Sequence, residues 1–263
     1  MGLSLDGFAP FKRQSNSSWP IILFNYNLPP DLRTHLDHII CYGIIPGPKS
    51  VKDVDSFLIP LHEELAQLSE GVDGVLDLTA REFFILRAYL ILLFGDIPAI
   101  SKLMMMKGHN GYSPCRYCEI KGMRNPGEKV NYVPLHREDG SYDPHTLWYR
   151  RHRRFIRQAR RVVAADTVAE SNRLSREYGI KGLPGLFLLG SINFPTSFPF
   201  DFMHLIFENL VPNLIRHYTS DFKGLDSCTE SYGLPKSVWE AIGDAAARSG
   251  DTIPSDFGCQ GSA

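Results

Sequence analysis

The sequence predicts a mixed α/β fold in which helices cover a sheet, and three observations carry that prediction. Runs rich in branched and aromatic residues alternate with an amphipathic stretch through the first hundred positions. An almost pure hydrocarbon run then ends abruptly at Gly95-Asp96-Ile97-Pro98. Finally, 22 glycines and 18 prolines among 263 residues break the chain too often for a helix bundle.

Taken in order, residues 3–8 read as a short strand with an acid, Asp6, inside it. Residues 19–26 (WPIILFNY) read as a second strand, stopped by Asn27-Leu28-Pro29-Pro30. Residues 38–45 (HIICYGII) form a third, closed by Pro46-Gly47-Pro48. A helix follows over 53–68, where Val54, Phe57, Leu58, Leu61, Leu65 and Leu68 share a face. Asp53 or Asp55 suits the positive end of its dipole, and Pro60 is placed to kink it. Residues 72–78 suggest a strand. The run at 82–94 (EFFILRAYLILLF) is apolar nearly all round and reads as a helical start passing into a central strand. A helix fits 98–107, loop composition fills 108–144, and a long helix is expected over 147–178. Beyond a Gly/Pro/Phe-rich loop, helices are expected at 201–217 and 238–248. Strand, strand, strand, helix and a strand ending in Asp fit a ribonuclease-H-like layer, although other mixed α/β folds fit the pattern nearly as well. The expected organisation is a first core segment (1–107), a Cys/His insertion (108–146), a basic helix (147–181) and a helical C-terminal part (182–263).

Composition excludes several classes. With 43% hydrophobic and 22% charged residues the chain is too apolar to be disordered. Five cysteines, unevenly placed, are too few for a disulfide scaffold and suit a reducing compartment. No secretory signal is expected, since Asp6, Lys12 and Arg13 interrupt the first twenty residues; no run is long enough to span a bilayer. A formal net charge of −1 argues against a generic basic nucleic-acid binder. That total hides a polarity: residues 51–96 hold nine acids and three bases, whereas 146–161 hold seven arginines and no acid.

Four features carry candidate chemistry. Asp6 and Asp96 are acids at the mouths of apolar runs, where a carboxylate is desolvated unless it caps a helix, pairs with a base or binds a cation. Brought together they would repel, and a hard divalent cation relieves that repulsion, as in two-metal phosphoryl-transfer sites. The plainer reading has Asp96 capping the next helix and Asp6 turning with Gly7. Cys115-Arg116-Tyr117-Cys118 is a C-x-x-C, either half of a zinc site completed by nearby histidines (His109, His136, His145, His152) or two free thiols. A thioredoxin-like role fits less well, because no helix-starting pattern surrounds the pair. On a helix, Arg150, Arg153, Arg154, Arg157 and Arg161 would line one face, with Trp148, Phe155, Ile156 and Val162 anchoring the other. Such a face suits bidentate contact with phosphates, the bland alternative being a solvated surface helix. Asp201 and His204, three apart, could serve a metal from a second layer, but an N-cap and a satisfied core histidine explain them as well.

Together the segments resemble the transposases of CACTA (En/Spm-type) DNA transposons, in the form found in plants and basidiomycete fungi. The resemblance is carried by Leu5-Asp6-Gly7-Phe8-Ala9-Pro10-Phe11, Trp19-Pro20-Ile21-Ile22, Tyr26-Asn27-Leu28-Pro29-Pro30 and Ile45-Pro46-Gly47-Pro48-Lys49. It continues through Asp53-Val54-Asp55, Pro60-Leu61, Gly95-Asp96-Ile97-Pro98-Ala99, Lys107-Gly108-His109 and Pro114-Cys115-Arg116-Tyr117-Cys118. Tyr132-Val133-Pro134-Leu135-His136 and Asp201-Phe202-Met203-His204 complete it. The resemblance implies a ribonuclease-H-like core that cuts and joins DNA with three acids and Mg2+ or Mn2+. Asp6 would be the first acid and Asp96 the second, their carboxylates side by side at the ends of adjacent strands. It further implies Zn2+ at Cys115 and Cys118, with His136 and His145 as the histidines assigned here, an acid/histidine element at Asp201 and His204, DNA and other transposase subunits as partners, and a nuclear location. The third acid, a glutamate, would fall beyond Ala263, and Glu208 is not assigned that role. The expectation is therefore a fragment of the catalytic core, inactive alone; the alternative is a non-catalytic nucleic-acid-binding module.

Overall fold

The computed structural model describes residues 1–8, 17–47, 51–124, 127, 131–137, 140–222 and 230–249. Ala9, Pro10, Phe11, Pro48, Lys49, Cys228 and Cys259 lie outside them. The chain divides into two units, Met1–Asp201 and Phe202–Ala263. The core segment, Cys/His loop and basic helix read from the sequence all fall in the first.

Strands β1 (Gly2–Leu5), β2 (Ser17–Phe24) and β3 (Ile39–Gly47) form where branched and aromatic residues predict strands, and they pair antiparallel. Alternation along β2 turns Trp19, Ile21 and Leu23 inward, where they meet the fully buried Leu3 and Leu5. A one-turn helix, α1 (Pro30–Arg33), and the 3₁₀ turn Leu36–His38 lead from β2 to β3. Helix α2 (Asp55–Glu70) runs through Pro60 and buries Leu58, Leu61, His62 and Leu65. Its two candidate starting acids do different things. Asp53 accepts from Ser56 N at 3.3 Å, while Asp55 accepts from Gly185 N at 2.9 Å and so ties the helix to a distant loop.

The run at 82–94 is not a helix entering a strand. Val72–Asp77 (β4) and Glu82–Leu86 (β5) form a hairpin, and only Leu92–Phe94 (β6) enters the main sheet. The turn decides this: Asp77 Oδ1 accepts from Thr79 N at 2.8 Å and Ala80 N at 3.0 Å, and Arg81 takes a left-handed φ of 56°. Aromatic and branched residues of 82–86 then pair across it rather than coil.

Strand β6 runs parallel to β1, so the sheet order is β3-β2-β1-β6. The two strands converge at Gly95, where a Cβ would stand 2.5 Å from the Leu5 carbonyl oxygen; only glycine fits. Helix α3 (Ile97–Leu103) starts at once. Asp96 caps it, accepting from Ala99 N at 2.6 Å, and Ala99, Ile100 and Leu103 are fully buried.

The single helix expected over 147–178 is two, α4 (His152–Val163) and α5 (Val168–Tyr178). Thr167 Oγ1 caps the second by accepting from Glu170 N at 3.1 Å, a start signal that wins over continuous helical periodicity. Gly179, left-handed at φ 72°, ends it. Phe155 of α4 stacks on Phe194 at 4.9 Å, and Phe194 on Phe198 at 5.0 Å, closing the core.

In the second unit, the stretch 201–217 is not one α-helix. Met203–Leu210 is a π-helix that continues as α6 (Val211–Tyr218). Pro212 has no N–H for the carbonyl four residues back, which is where the wider turn gives way. Helix α7 (Lys236–Ser249) completes the unit, and none of these three helices buries a side chain.

Urea unfolding tests the β1–β6 junction. Gly95→Ala is expected to lose roughly 1–3 kcal/mol through overpacking. Asp96→Ala is expected to lose about 1 kcal/mol with the cap, and Asp96→Asn, which can still cap, only a few tenths.

Candidate functional site

The two acids are placed by strand register. Leu3 pairs with Leu93 and Ser4 with Phe94 in parallel, and the Leu5 carbonyl abuts Gly95. One residue further, Asp6 and Asp96 leave the ends of adjacent strands at equivalent positions, both half-buried. Each also makes the modest contact the sequence allowed: Asp6 Oδ1 accepts from Gly7 N at 2.7 Å, and Asp96 caps α3. A cation is already near, since Lys102 lies on α3 with its Nζ 4.2 Å from the centre of the Trp19 ring. Burial pulls the Lys102 ammonium below the usual lysine range, and the charge of Asp96 partly restores it. In donor type, two carboxylates suit Mg2+ or Mn2+. Among the described residues, no three His, Cys, Asp or Glu side chains gather as a metal site.

The arginines of the basic segment separate into three environments. Arg153, Arg157, Arg160 and Arg161 line an open groove of about 450 Å³ along α4, with His152 and Ile156. Arg154 instead pairs with Glu119 at 2.7 Å. Arg150 is not on that face at all. It precedes the helix, is 4% exposed, and donates through Nε to Cys115 O (2.9 Å) and through Nη2 to Ser113 Oγ (3.0 Å) and Tyr178 O (2.9 Å). Three fixed oxygens hold it inside, so it braces the Cys loop rather than meeting a phosphate. Trp148, expected as an anchor, is 75% exposed, because it lies in the extended segment before α4; Phe155, Ile156 and Val162 do anchor the helix. Arg160 was missed, since it falls off an ideal five-arginine stripe.

Cys115 and Cys118 come together as free thiols, but His136 and His145 do not join them. His136 Nδ1 lies 3.4 Å from Ser141 Oγ, and the His145 N–H donates to Asp143 in a local turn, so both belong to their own loop. Cys118 pairs across a bridge with Tyr149, and no helix follows it. A proton is shared unequally within the pair. The Cys118 thiol, donating to Cys115 Sγ, draws the Cys115 pKa well below the usual thiol range against the effect of burial. The N–H groups of Tyr117 and Cys118, both 3.3 Å from Sγ, and the Arg150 charge add to this. The same hydrogen bond pushes Cys118 upward. Sequence reading also missed Arg116, 7% exposed, donating to Pro199 O at 2.7 Å and lying 4.3 Å over Phe200. Its place inside the C-x-x-C was the available signal. His109, Cys115, Arg116 and Phe200 border a cavity of about 340 Å³.

Asp201 closes the first unit, where its charge acts on Arg116. His204 belongs to the second unit, with Nε2 3.9 Å from Glu208 one turn along.

A family model described as "Transposase family tnp2" matches residues 1–176, from β1 almost to the end of α5. The chain belongs to that family and is a transposase-derived protein. No curated protein and no solved structure matches it. No helix among the described residues is long and apolar enough to cross a membrane.

Two outcomes test these environments. Arg150→Ala should cost about 3 kcal/mol in thermal or urea unfolding, because buried acceptors lose their donor, whereas Arg157→Ala should stay within about 0.5 kcal/mol. At pH 7, iodoacetamide followed by mass spectrometry should label Cys115 faster than Cys118; the reverse order would refute the proton sharing described.

Proposed function

We propose that this chain is a catalytic core of a CACTA (En/Spm-type) transposase, on a ribonuclease-H-like fold, and that Asp6 and Asp96 are two of its catalytic acids. The observation that supports this most is the parallel β1–β6 register, which brings the two acids to neighbouring strand ends. The antiparallel order of β1 to β3 and the covering helices agree with such a layer. A bound Mg2+ or Mn2+ would supply activation of water or a DNA 3′-hydroxyl and stabilisation of the leaving oxygen. The protein's part is then to hold, orient and neutralise. Asp6 and Asp96 present hard oxygens from a rigid sheet edge, and the N–H groups of Gly7 and Ala99 fix their rotamers. The groove on α4 offers Arg153, Arg157, Arg160 and Arg161 to the phosphate backbone, with charges that need no pH adjustment. Zinc at the Cys loop forms no part of the reading, since Cys115 and Cys118 offer only two ligands among the described residues. DNA is the proposed substrate, met in the nucleus and together with other transposase subunits.

The second reading, a nucleic-acid-binding module without catalysis, is favoured by one observation: the arginine groove is complete, while the acid site has two described carboxylates.

Supercoiled plasmid and Mg2+ separate the readings. With two described carboxylates at the acid site, nicking by the chain is expected to be weak, and to be lost in Asp6→Asn and Asp96→Asn variants that retain wild-type unfolding midpoints and DNA affinity. Replacing Arg153, Arg157 and Arg161 together by Gln should lower the slope of log K against log salt by about 3. Salt-dependent binding without nicking would leave the module reading and end the catalytic one.

A further inference from the structure

Three lysines, the first of them beside Asp96, have been given no role by the resemblance or by the basic helix. Helix α3 carries Lys102 about a turn and a half after Asp96, so one short rigid element positions both. The Lys102 ammonium sits on the Trp19 ring, and the same ring occupies the space a Cβ of Gly7 would need, 2.5 Å away. Lys102 thus rests on the same ring that packs against Gly7, the neighbour of Asp6.

The chain then makes a costly turn. Met105 takes a left-handed φ of 50°, unfavourable for a side chain of that kind, and this reverses the backbone so that Met106 pairs antiparallel with Ile180. Lys107 N donates to Gly179 O at 2.8 Å and Lys181 N to Met105 O at 2.6 Å. Met106 and Ile180 are buried, so the next residue on each strand, Lys107 and Lys181, faces the other way, towards solvent. Burial pulls Lys102 and Lys181 below the usual lysine range, and like charge adds to it: Lys181 acts on Lys102 and Lys107 on Lys181. Flexible surface lysines ordinarily splay into water, whereas this bridge and the Trp19 contact keep the group together. A cationic cluster so held is suited to an anion of repeated negative charge.

We infer that Lys102, Lys107 and Lys181 form a phosphate track beginning at the acid pair, which holds the backbone of the DNA strand being cut. The inference rests on the catalytic reading of Asp6 and Asp96, and the track is distinct from the α4 groove in residues and elements. It predicts two separable effects: looser DNA binding, and misplacement of the scissile phosphate.

The test uses the full chain, a fluorescent duplex oligonucleotide titrated over a salt series, and plasmid nicking with Mg2+. The triple variant Lys102→Gln, Lys107→Gln, Lys181→Gln should lower the salt slope by about 2 to 3 and reduce nicking tenfold or more. If Lys102→Gln disturbs folding, the exposed pair Lys107→Gln and Lys181→Gln should still lower the slope by about 2, and Lys107→Arg with Lys181→Arg should restore it. An unchanged slope and nicking rate in the glutamine variants would overturn the track while leaving the acids' role intact. An equal loss from the exposed control pair Lys52→Gln and Lys236→Gln would also overturn it, as an effect of net charge alone. Undiminished nicking in Asp6→Asn and Asp96→Asn would instead remove the catalytic reading, and the slope would still decide whether the lysines bind DNA.

Discussion

The close parallel approach of β1 and β6 is the constraint on which the candidate site depends. It brings two carboxylates to neighbouring strand ends, an arrangement that apolar burial maintains. Leu3, Leu5 and Leu93 are fully buried along these strands, and Gly95 lets the backbones close where any side chain would hold them apart. Each carboxylate also has partners of its own. Gly7 N and Ala99 N donate to the acids, α3 begins with its positive dipole end at Asp96, and Lys102 stands nearby. Helix capping and proposed catalysis are therefore not rival explanations of Asp96: one oxygen positions the helix, and the same bond fixes the carboxylate's direction.

Positive charge is distributed by burial as much as by sequence. Seven arginines within sixteen residues read as one face, yet the described structure sends them to different tasks. Arg150 satisfies three buried oxygens, Arg154 meets Glu119, and the groove takes Arg153, Arg157, Arg160 and Arg161. The division follows from where α4 begins. Arg150 lies before His152, in the extended segment that pairs with the Cys loop, so helical geometry never applied to it.

The Cys loop shows how local chemistry can outweigh a motif. A C-x-x-C suggests a metal half-site, but here Cys115 interacts with the buried guanidinium groups of Arg116 and Arg150. The hydrogen bond from the Cys118 thiol favours a thiolate at Cys115 most, and the buried Arg150 charge adds to it. The loop is thereby joined to α4 and α5 through Arg150 and the Tyr178 carbonyl.

By itself the sequence determined what depends on local pattern. Alternation in 19–26, helical spacing in 53–68, and the acid-proline start at Asp96 translate directly into β2, α2 and α3, because each is decided by neighbours a few residues away. The same locality made the transposase-like motifs and both candidate acids legible. Only the tertiary structure decided what depends on long-range pairing. The hairpin β4–β5 was hidden in an apolar run whose period does not distinguish coil from extension, and the interruption between α4 and α5 turned on one threonine cap. That Asp6 and Asp96 leave neighbouring strand ends, that Arg150 is buried, and that Lys181 acts on Lys102 are facts about residues up to ninety positions apart. Register and burial set them, and no window of sequence contains either.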